Sequence, residues 1–248
     1  MKLTTTYNEL QEVMAKVVPA CARDDTRPVL TGVYVEQYKD HASYISADGF
    51  RLVILNPELI EYPLSRNIVT VKSIREAIKE IETEGKKQHG SRNKRAWQAP
   101  KIEVELETIK GMFPNYKKLV PKDSAKHIIE LDNINRFADA IDILKVAANK
   151  NLTIIRMSIE CLDTKTITLL VSANYHELNA VLELHVPLKN YTGDNPMKIA
   201  ANVNHLEDIC KALKDSKNIT IEISSKNSPI LVKTDKYIHV VMPMNAQW

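Results

Sequence analysis

The chain has 248 residues, of which 44% are hydrophobic, and its 34 Lys and Arg residues only slightly outnumber its 31 Asp and Glu residues. This length suits two domains, and no apolar run approaches the roughly 20 residues that cross a bilayer. The N-terminal sequence lacks the apolar stretch of a secretory signal, and the three cysteines, at no ligand spacing, indicate reduced thiols. We therefore expect a cytoplasmic protein with no membrane partner.

The first half of the chain predicts short strands and two helices. A strand at 2–5 precedes a helix that begins with a capping box, Thr6 and Glu9, and runs to about Pro19. A second helix ends near Gly85 and leads into the segment 85–101, which holds six basic residues and no acidic one. Runs rich in Val, Ile, Thr and Tyr predict the remaining strands near 32–37, 43–46, 51–55, 68–71 and 102–107.

A similar pattern of strands and helices returns after the stretch FPNYKKLVPKDS (113–124), whose prolines indicate a boundary. We predict one domain at 1–122 and another at 123–248. In the second domain the predicted helices are 133–147, capped by Asp132, and 203–213, capped by Asn202. The predicted strands are 128–131, 152–159, 166–172, 176–185, 218–224, 230–234 and 238–242.

Four segments share one apolar spacing, and two of them lie in each half. Residues at i, i+3, i+4 and i+7 are apolar, which gives a helix a single apolar face. The four sets are Leu10, Val13, Met14 and Val17; Ile74, Ala77, Ile78 and Ile81; Ile134, Phe137, Ala138 and Ile141; and Leu206, Ile209, Cys210 and Leu213. This repetition predicts an α+β fold built from a duplicated module, with two helices on antiparallel strands in each domain.

The sequence carries no motif for catalysis or for a cofactor. The six glycines form no phosphate-binding loop and no nucleophile elbow, and the seven histidines are scattered. Asp24 and Asp25 resemble a metal-binding pair, but Arg23 and Arg27 flank them and favour a salt-bridged turn. We predict no catalytic residue, no cofactor and no metal.

Basic residues lie off the apolar faces of all four predicted helices. One interpretation is a solvated face of mixed charge, because Glu76, Asp139 and Asp208 lie there too. The other is a surface that meets nucleic-acid phosphates without reading bases. The candidate residues, with Arg23 added from a loop, are Lys16, Arg23, Lys72, Arg75, Lys79, Arg136, Lys145, Lys211 and Lys214.

Five stretches resemble signature stretches of the bacterial sliding clamp family, the beta subunit of DNA polymerase III. They follow the order and approximate spacing of that family. The resemblance covers the middle and C-terminal domains of a three-domain family, and the N-terminal domain has no counterpart in this sequence. The stretches are CARDDTRPVLTGVYVE (21–36), SADGFRLVIL (46–55), FPNYKKLVP (113–121), MKIAANVNHLEDICKALKDSKNITIEIS (197–224) and YIHVVMPM (237–244).

The resemblance implies a protein that is not an enzyme. It implies clamp domains whose helices line the hole of a six-domain ring around double-stranded DNA, with the basic residues facing the DNA. It also implies a DNA polymerase and a clamp loader as partners. With two domains per chain, either the sequence is a fragment or three chains close the ring, and we predict a homotrimer. Five residues of the basic segment are expected to add contacts at the rim: Lys86, Lys87, Arg92, Lys94 and Arg95.

The resemblance also implies an apolar cleft between the two domains for a short partner peptide. Phe50 and Lys118 stand where the family often has other residues, so the peptide preference is expected to differ. Trp248, at the end of the tail, is predicted to form part of the cleft wall or to compete for it. The implied lining is Leu30, Ala47, Gly49, Phe50, Arg51, Leu52, Pro114, Lys118, Leu119, Pro229, Val240, Met242, Pro243 and Met244.

Two other functions stay open at this point. The first is a peptide-binding adaptor or decoy that keeps the cleft and does not close a ring. The second is a nucleic-acid enzyme whose carboxylates the sequence does not reveal. The Met start, which runs directly into a capped helix, leads us to expect a natural short protein.

Overall fold

The computed structural model describes residues 1–57, 62–89, 98, 100–121, 125–147, 154–161, 167–175, 180–193 and 197–246. The chain forms two compact units, Met1–Lys117 and Lys118–Trp248. Both units combine helices with antiparallel strands, which confirms the predicted α+β class. The predicted domain border at 122–123 lies outside the described residues.

Unit 1 contains two helices and seven strands among its described residues. Helix α1 ends at Lys16, and a 3₁₀ turn at Val18–Ala20 replaces the predicted last turn, because Pro19 lacks the N–H that would continue the helix. Helix α2 continues past Gly85 to His89, so the predicted end near Gly85 is wrong. The elements are β1 (Lys2–Thr5), α1 (Tyr7–Lys16), β2 (Val33–Gln37), β3 (Ala42–Ala47), β4 (Arg51–Leu55), β5 (Ser65–Val69), α2 (Val71–His89), β6 (Ile102–Glu105) and β7 (Thr108–Ile109).

The strands of unit 1 form two sheets. One sheet has the order β4-β3-β2-β5-β7, and the other, within the described part of the unit, consists of β1 and β6. All of these pairs are antiparallel. The short stretch 102–109 therefore belongs to both sheets, because β6 pairs with β1 in one sheet and β7 pairs with β5 in the other.

Unit 2 has the second pair of helices and nine strands in its described residues. One sheet has the order β11-β10-β9-β13, and β12-β8-β14-β15-β16 are neighbours in the other. The elements are β8 (His127–Leu131), α3 (Asn135–Ala147), β9 (Ile154–Cys161), β10 (Ile167–Tyr175), β11 (Ala180–Pro187), β12 (Asn190–Thr192), β13 (Lys198–Asn202), α4 (Val203–Ala212), β14 (Ile219–Ile223), β15 (Ile230–Thr234) and β16 (Tyr237–Val241).

Two of the three predicted helix caps are confirmed. Thr6 Oγ1 accepts a hydrogen bond from the Glu9 N–H at 3.1 Å, and Asn202 Oδ1 accepts one from the Asn204 N–H at 2.9 Å. The third cap is wrong, because Asn133, not Asp132, accepts from a backbone N–H at the start of α3, at 3.0 Å. Short polar side chains at these positions satisfy N–H groups that a helix leaves without partners.

The apolar faces of the four helices form the centre of each core. Most of the predicted residues on these faces are buried, while Met14, Ile81 and Ala138 are only partly covered. The fully buried large side chains include Leu3, Leu10 and Ile74 in unit 1 and Phe137 and Ile141 in unit 2. Each unit therefore buries its own helix pair against its own strands, as expected for a duplicated module.

Candidate functional site

The β3–β4 hairpin carries five residues of the predicted peptide site: Ala47, Gly49, Phe50, Arg51 and Leu52. Its turn is fixed by Asp48, whose Oδ1 accepts hydrogen bonds from the N–H groups of Phe50 at 2.9 Å and Arg51 at 3.1 Å. Gly49 has φ of 95°, a conformation that glycine adopts without strain. The turn leaves the Phe50 ring 65% exposed. The hairpin therefore displays an aromatic side chain that is available to a partner.

Two other residues of this hairpin are not accessible. Leu52 is only 2% exposed and Arg51 is also buried. Arg51 Nε donates to Asp48 Oδ2 at 2.9 Å, and its guanidinium also donates to the Pro19 carbonyl. Arg51 thus ties the hairpin turn to the 3₁₀ turn after α1, and Leu52 contributes to the core. A role in direct peptide contact would require both side chains to be uncovered.

Two other predicted segments lie beside this hairpin in unit 1. A Cβ atom added at Gly49 would lie 3.5 Å from the Arg27 guanidinium, and one added at Gly111 would lie 2.4 Å from the Val29 side chain. Leu30 ends the 3₁₀ turn that contains Val29 and is buried. The structure therefore brings the turn at 28–30, the hairpin and the segment before FPNY into one neighbourhood.

The FPNY segment packs on one face of β2. The Phe113 ring stacks on Tyr34, with the ring centroids 4.9 Å apart and the planes 5° apart, and the Tyr116 hydroxyl donates to Glu36 at 2.8 Å. Burial, and then the neighbouring Glu36 carboxylate, raises the pKa of Tyr116 above its ordinary range, so this hydroxyl keeps its proton. These contacts fix the backbone from which exposed Pro114 projects.

Glu36 is a residue that the sequence did not single out. Its side chain is 2% exposed and accepts hydrogen bonds from the Tyr38 hydroxyl at 2.9 Å and from Arg66 Nε at 3.2 Å, in addition to Tyr116. A buried carboxylate is tolerated only with such partners. The sequence signal for its buried position is that an acidic residue stands within a strand rich in Val and Tyr.

Unit 2 groups its predicted residues at one end of the β15–β16 hairpin. Ile230 pairs with Val241, so Pro229 and Met242 occupy the next positions at the same end. The chain then turns so that the Met244 N–H donates to the Ala200 carbonyl at 2.8 Å. The predicted members are buried Val240, exposed Met242 and the half-buried pair Pro243 and Met244, with half-buried Pro229 beside them.

The last two predicted contact residues follow the FPNY segment. Lys118 ends a 3₁₀ turn that begins at Tyr116, and Leu119 comes directly after it. Both side chains are exposed, Leu119 by 51%. Trp248, the predicted competitor from the tail, lies outside the described residues.

The predicted DNA-facing cations of unit 1 are exposed on α2. Lys72 Nζ lies 3.8 Å from Glu76, whereas Arg75 and Lys79 make no ion pair with any residue that the structure describes. Lys16, at the end of α1, is bound to Glu12 at 2.6 Å, and Arg23 is exposed in the loop that follows. Arg75 and Lys79 are therefore the cations of this unit best placed to attract phosphate.

The predicted cations of unit 2 are divided between paired and exposed residues. Glu207 on α4 accepts hydrogen bonds from Lys145 on α3 at 2.5 Å and from Lys211 at 2.6 Å. The hydrogen bond from Lys145, followed by that from Lys211, lowers the pKa of Glu207 below its ordinary value. Arg136 and Lys214 are exposed. Glu207 therefore links α3 to α4, and it neutralises part of the positive charge of Lys145 and Lys211, two residues that the sequence analysis predicts to face DNA.

Part of the basic segment is visible at the end of α2. Lys86 is bound to Glu82 at 2.5 Å, and Lys87 is exposed. Arg92, Lys94 and Arg95 lie outside the described residues, so their predicted contacts at a rim stay predictions.

The described residues show no arrangement for metal or nucleophilic chemistry. No group of three His, Cys, Asp or Glu side chains in this part of the chain could hold a metal ion. Burial raises the pKa of the Cys21 and Cys210 thiols to about 12, so neither is a reactive thiolate at neutral pH. Among the helices described, none is both long and apolar enough to span a membrane.

Models of protein families match nearly the whole chain. Residues 4–115 match the central domain of the DNA polymerase III beta subunit, and residues 117–245 match its C-terminal domain. The two matches correspond closely to units 1 and 2.

Individual relatives agree with these matches. The chain is 26% identical to the beta sliding clamp of Synechococcus elongatus over 92% of its own length and 61% of the relative, and 29% identical to that of Caulobacter vibrioides over 84% and 56%. The crystal structure of the DNA polymerase sliding clamp from Bacillus subtilis superimposes with a TM-score of 0.79 at 17% identity, covering 100% of this chain and 65% of that one. The chain thus spans about three fifths of the length of these relatives.

Proposed function

Because the chain belongs to the DNA polymerase III beta subunit family, through matches to two of that family's domains, we propose that it is a DNA sliding clamp. In this role it encircles double-stranded DNA in the cytoplasm and tethers a DNA polymerase, without catalysing a reaction. The observation that carries this proposal is the pair of adjacent domain matches, one on each compact unit.

The proposed ring contains three copies of the chain. Each chain supplies two domains, and a ring of six domains then needs three chains related by head-to-tail contacts. With a chain mass of 28.1 kDa, such a trimer has a mass of about 84 kDa. A clamp loader of the host is the expected partner that opens this ring.

The proposed DNA contacts are weak and independent of sequence. Arg75 and Lys79 on α2 and Lys214 after α4 are exposed, and they make no ion pair with any described residue. Cations of this kind attract phosphate without distinguishing bases, which suits a protein that slides. Lys72, Lys145 and Lys211 form ion pairs with glutamates, which reduces the net attraction of these helices for phosphate.

The proposed peptide site combines residues of both units. Phe50 and Pro114 are exposed in unit 1, and Met242 is exposed in unit 2 beside half-buried Met244. Leu119, which lies between Pro114 and Met242 in the sequence, is another exposed apolar side chain. An apolar surface with flexible methionines suits a short linear segment of a polymerase or a clamp loader.

Sedimentation velocity at micromolar concentration tests the ring, because it separates 28, 56 and 84 kDa species. A mass near 84 kDa supports the proposal. A stable monomer or dimer contradicts the trimeric ring and favours the adaptor or decoy function instead. The ion pairs that offset Lys16, Lys145 and Lys211 are the observation in favour of that second function, since they reduce the attraction for DNA.

A further inference from the structure

Glu36 on β2 is a buried carboxylate that binds two tyrosine hydroxyls through the same oxygen atom. Its Oε2 accepts hydrogen bonds from the hydroxyls of Tyr116 at 2.8 Å and Tyr38 at 2.9 Å. Its Oε1 accepts one from Arg66 Nε at 3.2 Å. Hydrogen bonds to a carboxylate are shorter and roughly twice as strong as those between neutral groups. Glu36 therefore restrains three side chains from one position in the sheet.

Of these three donors, Tyr116 alone belongs to the FPNY segment, which carries a proline of the proposed peptide site. Tyr38 lies directly after β2, and Arg66 lies on β5. Tyr116 is 80 residues from Glu36 in the sequence. Strand β2 is the middle strand in the order β4-β3-β2-β5-β7. The hydrogen bond from Tyr116 therefore connects a distant segment to the centre of the unit 1 sheet.

The other end of the FPNY segment is also fixed on β2. The Phe113 ring stacks on Tyr34, and Tyr34 lies edge-on to Tyr116 with the ring centroids 6.2 Å apart. Tyr34 and Glu36 are two positions apart on the strand, so their side chains lie on the same face of the sheet. Phe113 and Tyr116 are both buried. One face of β2 therefore binds the first and the last residue of the segment.

Pro114 and Asn115 lie between these two buried residues, and both are exposed. The proline ring restricts its own φ angle, and a link of two residues between fixed ends leaves the backbone few alternative conformations. The exposed Pro114 ring is therefore held in a defined position although its own side chain is not buried.

The same sheet also carries the hairpin that displays Phe50. Strand β2 pairs with β3, with Tyr34 opposite Ile45, and β3 leads into the hairpin turn. Neighbouring strands of one sheet thus support Pro114 and Phe50, two exposed residues of the proposed peptide site in unit 1. Glu36 contributes to this arrangement through Tyr116.

We propose that Glu36 is a positioning residue of the peptide site, which acts by holding Tyr116 and thereby Pro114. This inference rests on the proposed function, because it concerns how the unit 1 part of that site is prepared for a partner. A surface that already has its bound conformation loses less conformational entropy when the peptide binds. The hydrogen bond between Glu36 and Tyr116 therefore increases affinity without contact between either residue and the peptide.

Glu36 also stabilises the fold, and two substitutions separate that role from positioning. Tyr116→Phe removes the hydroxyl on the FPNY segment, and Tyr38→Phe removes the hydroxyl outside it. Both keep the ring and remove one donor from the same oxygen, so we expect similar losses of stability. In fluorescence anisotropy with a peptide of the Gln/Leu/Phe type, Kd should rise about 3- to 10-fold for Tyr116→Phe and stay within about twofold for Tyr38→Phe.

Double variants test the route from Glu36 to the peptide. Glu36→Gln weakens the acceptor, so it should raise Kd by a similar factor and add little to Tyr116→Phe, because the two residues act as one pair. Tyr116→Phe should also add less than about twofold to the Kd of Pro114→Ala, and should keep its full effect when combined with Met242→Ala. A full effect in the Pro114→Ala background would overturn the proposal, because Tyr116 would then not act through this proline.

Amide hydrogen exchange of the free protein gives a measurement that does not depend on the peptide. Exchange in 113–118 should be faster in Tyr116→Phe than in the wild type, and unchanged in Tyr38→Phe. Urea unfolding confirms that each variant is folded under the conditions of the assay.

The outcomes distinguish this role from the peptide site itself. If Tyr116→Phe and Tyr38→Phe give equal Kd values and equal exchange, Glu36 only stabilises the core and the proposal is wrong. Faster exchange in Tyr116→Phe without a change in Kd also contradicts it, because the segment would then move without affecting the peptide. If Phe50→Ala and Pro114→Ala both leave Kd unchanged, the proposed peptide site is wrong, and the positioning role is wrong with it.

Discussion

Phe50 and Leu52 are two positions apart on the same hairpin, and their different burial gives a sharp test of the peptide site. Phe50 is 65% exposed, so Phe50→Ala leaves no cavity and should change the free energy of unfolding by less than about 0.5 kcal/mol. Leu52 is 2% exposed, so Leu52→Ala should lower it by about 2–5 kcal/mol. Only the first substitution therefore reports on binding without a loss of stability.

The expected effect on binding follows from the exposed ring of Phe50. Truncation of an aromatic anchor in a peptide site costs about 1–3 kcal/mol of binding free energy, which corresponds to about a 5- to 150-fold increase in Kd. The assay is fluorescence anisotropy with a labelled peptide of the Gln/Leu/Phe type taken from a polymerase. Urea unfolding of the same samples gives the stability of each variant.

Tyr62→Ala is the matched control, because Tyr62 is another aromatic residue of unit 1 and is 93% exposed. It should leave both Kd and stability unchanged. A Kd for Phe50→Ala within twofold of the wild type would refute the role of the hairpin in peptide binding. A normal stability for Leu52→Ala would show that this side chain is not part of the core.

Three further predictions concern the surroundings of these surfaces. Replacing Arg75 and Lys79 together by Ala should weaken DNA binding evenly across sequences and reduce the slope of log K against log salt by about 2, and an unchanged slope would mean that neither residue meets phosphate. Tyr116→Phe removes a hydroxyl from buried Glu36 and should lower the free energy of unfolding by about 1–3 kcal/mol in urea titrations, whereas a neutral result would show that Glu36 has other sufficient donors. The pKa of Glu207 is lowered in the folded chain, so the stability from this residue is present above its unfolded pKa and is lost as pH falls through the folded value. Glu207→Gln should therefore narrow the difference in stability between pH 7 and pH 3, and an identical difference in the variant would contradict this.

Features that depend on neighbours in sequence were predictable. Thr6 and Asn202 cap helices through N–H groups two or three residues away, and the apolar spacing located all four helices. The family resemblance was likewise visible in short stretches such as FPNYKKLVP and is confirmed by the two domain matches. Gly85 misled the sequence analysis, because a glycine inside a helix costs only about 1 kcal/mol and the residues around it favour the helix.

Features that depend on distant partners were not predictable. Glu36 is buried because Tyr116, 80 residues later, donates to it, and Lys145 is neutralised by Glu207, 62 residues later. The resemblance named Leu52 as a contact residue, whereas its burial depends on how the whole unit packs. The peptide site, the DNA-facing cations and the domain border at 122–123 stay predictions that the experiments above can test.

The stretch 102–109, which pairs with β1 and then with β5, has a consequence for how unit 1 folds. Strands β2 to β5 lie within residues 33–69 and can pair with one another as soon as they are synthesised. Strand β1 pairs only after β6 has been synthesised, because Lys2 lies opposite Glu105. Closing a loop of roughly a hundred residues also costs about 4 kcal/mol of chain entropy. During synthesis, β1 therefore cannot pair with β6 until nearly all of unit 1 has left the ribosome. If this late closure limits the rate of refolding, substitutions that weaken β6 should slow refolding and leave the rate of unfolding nearly unchanged.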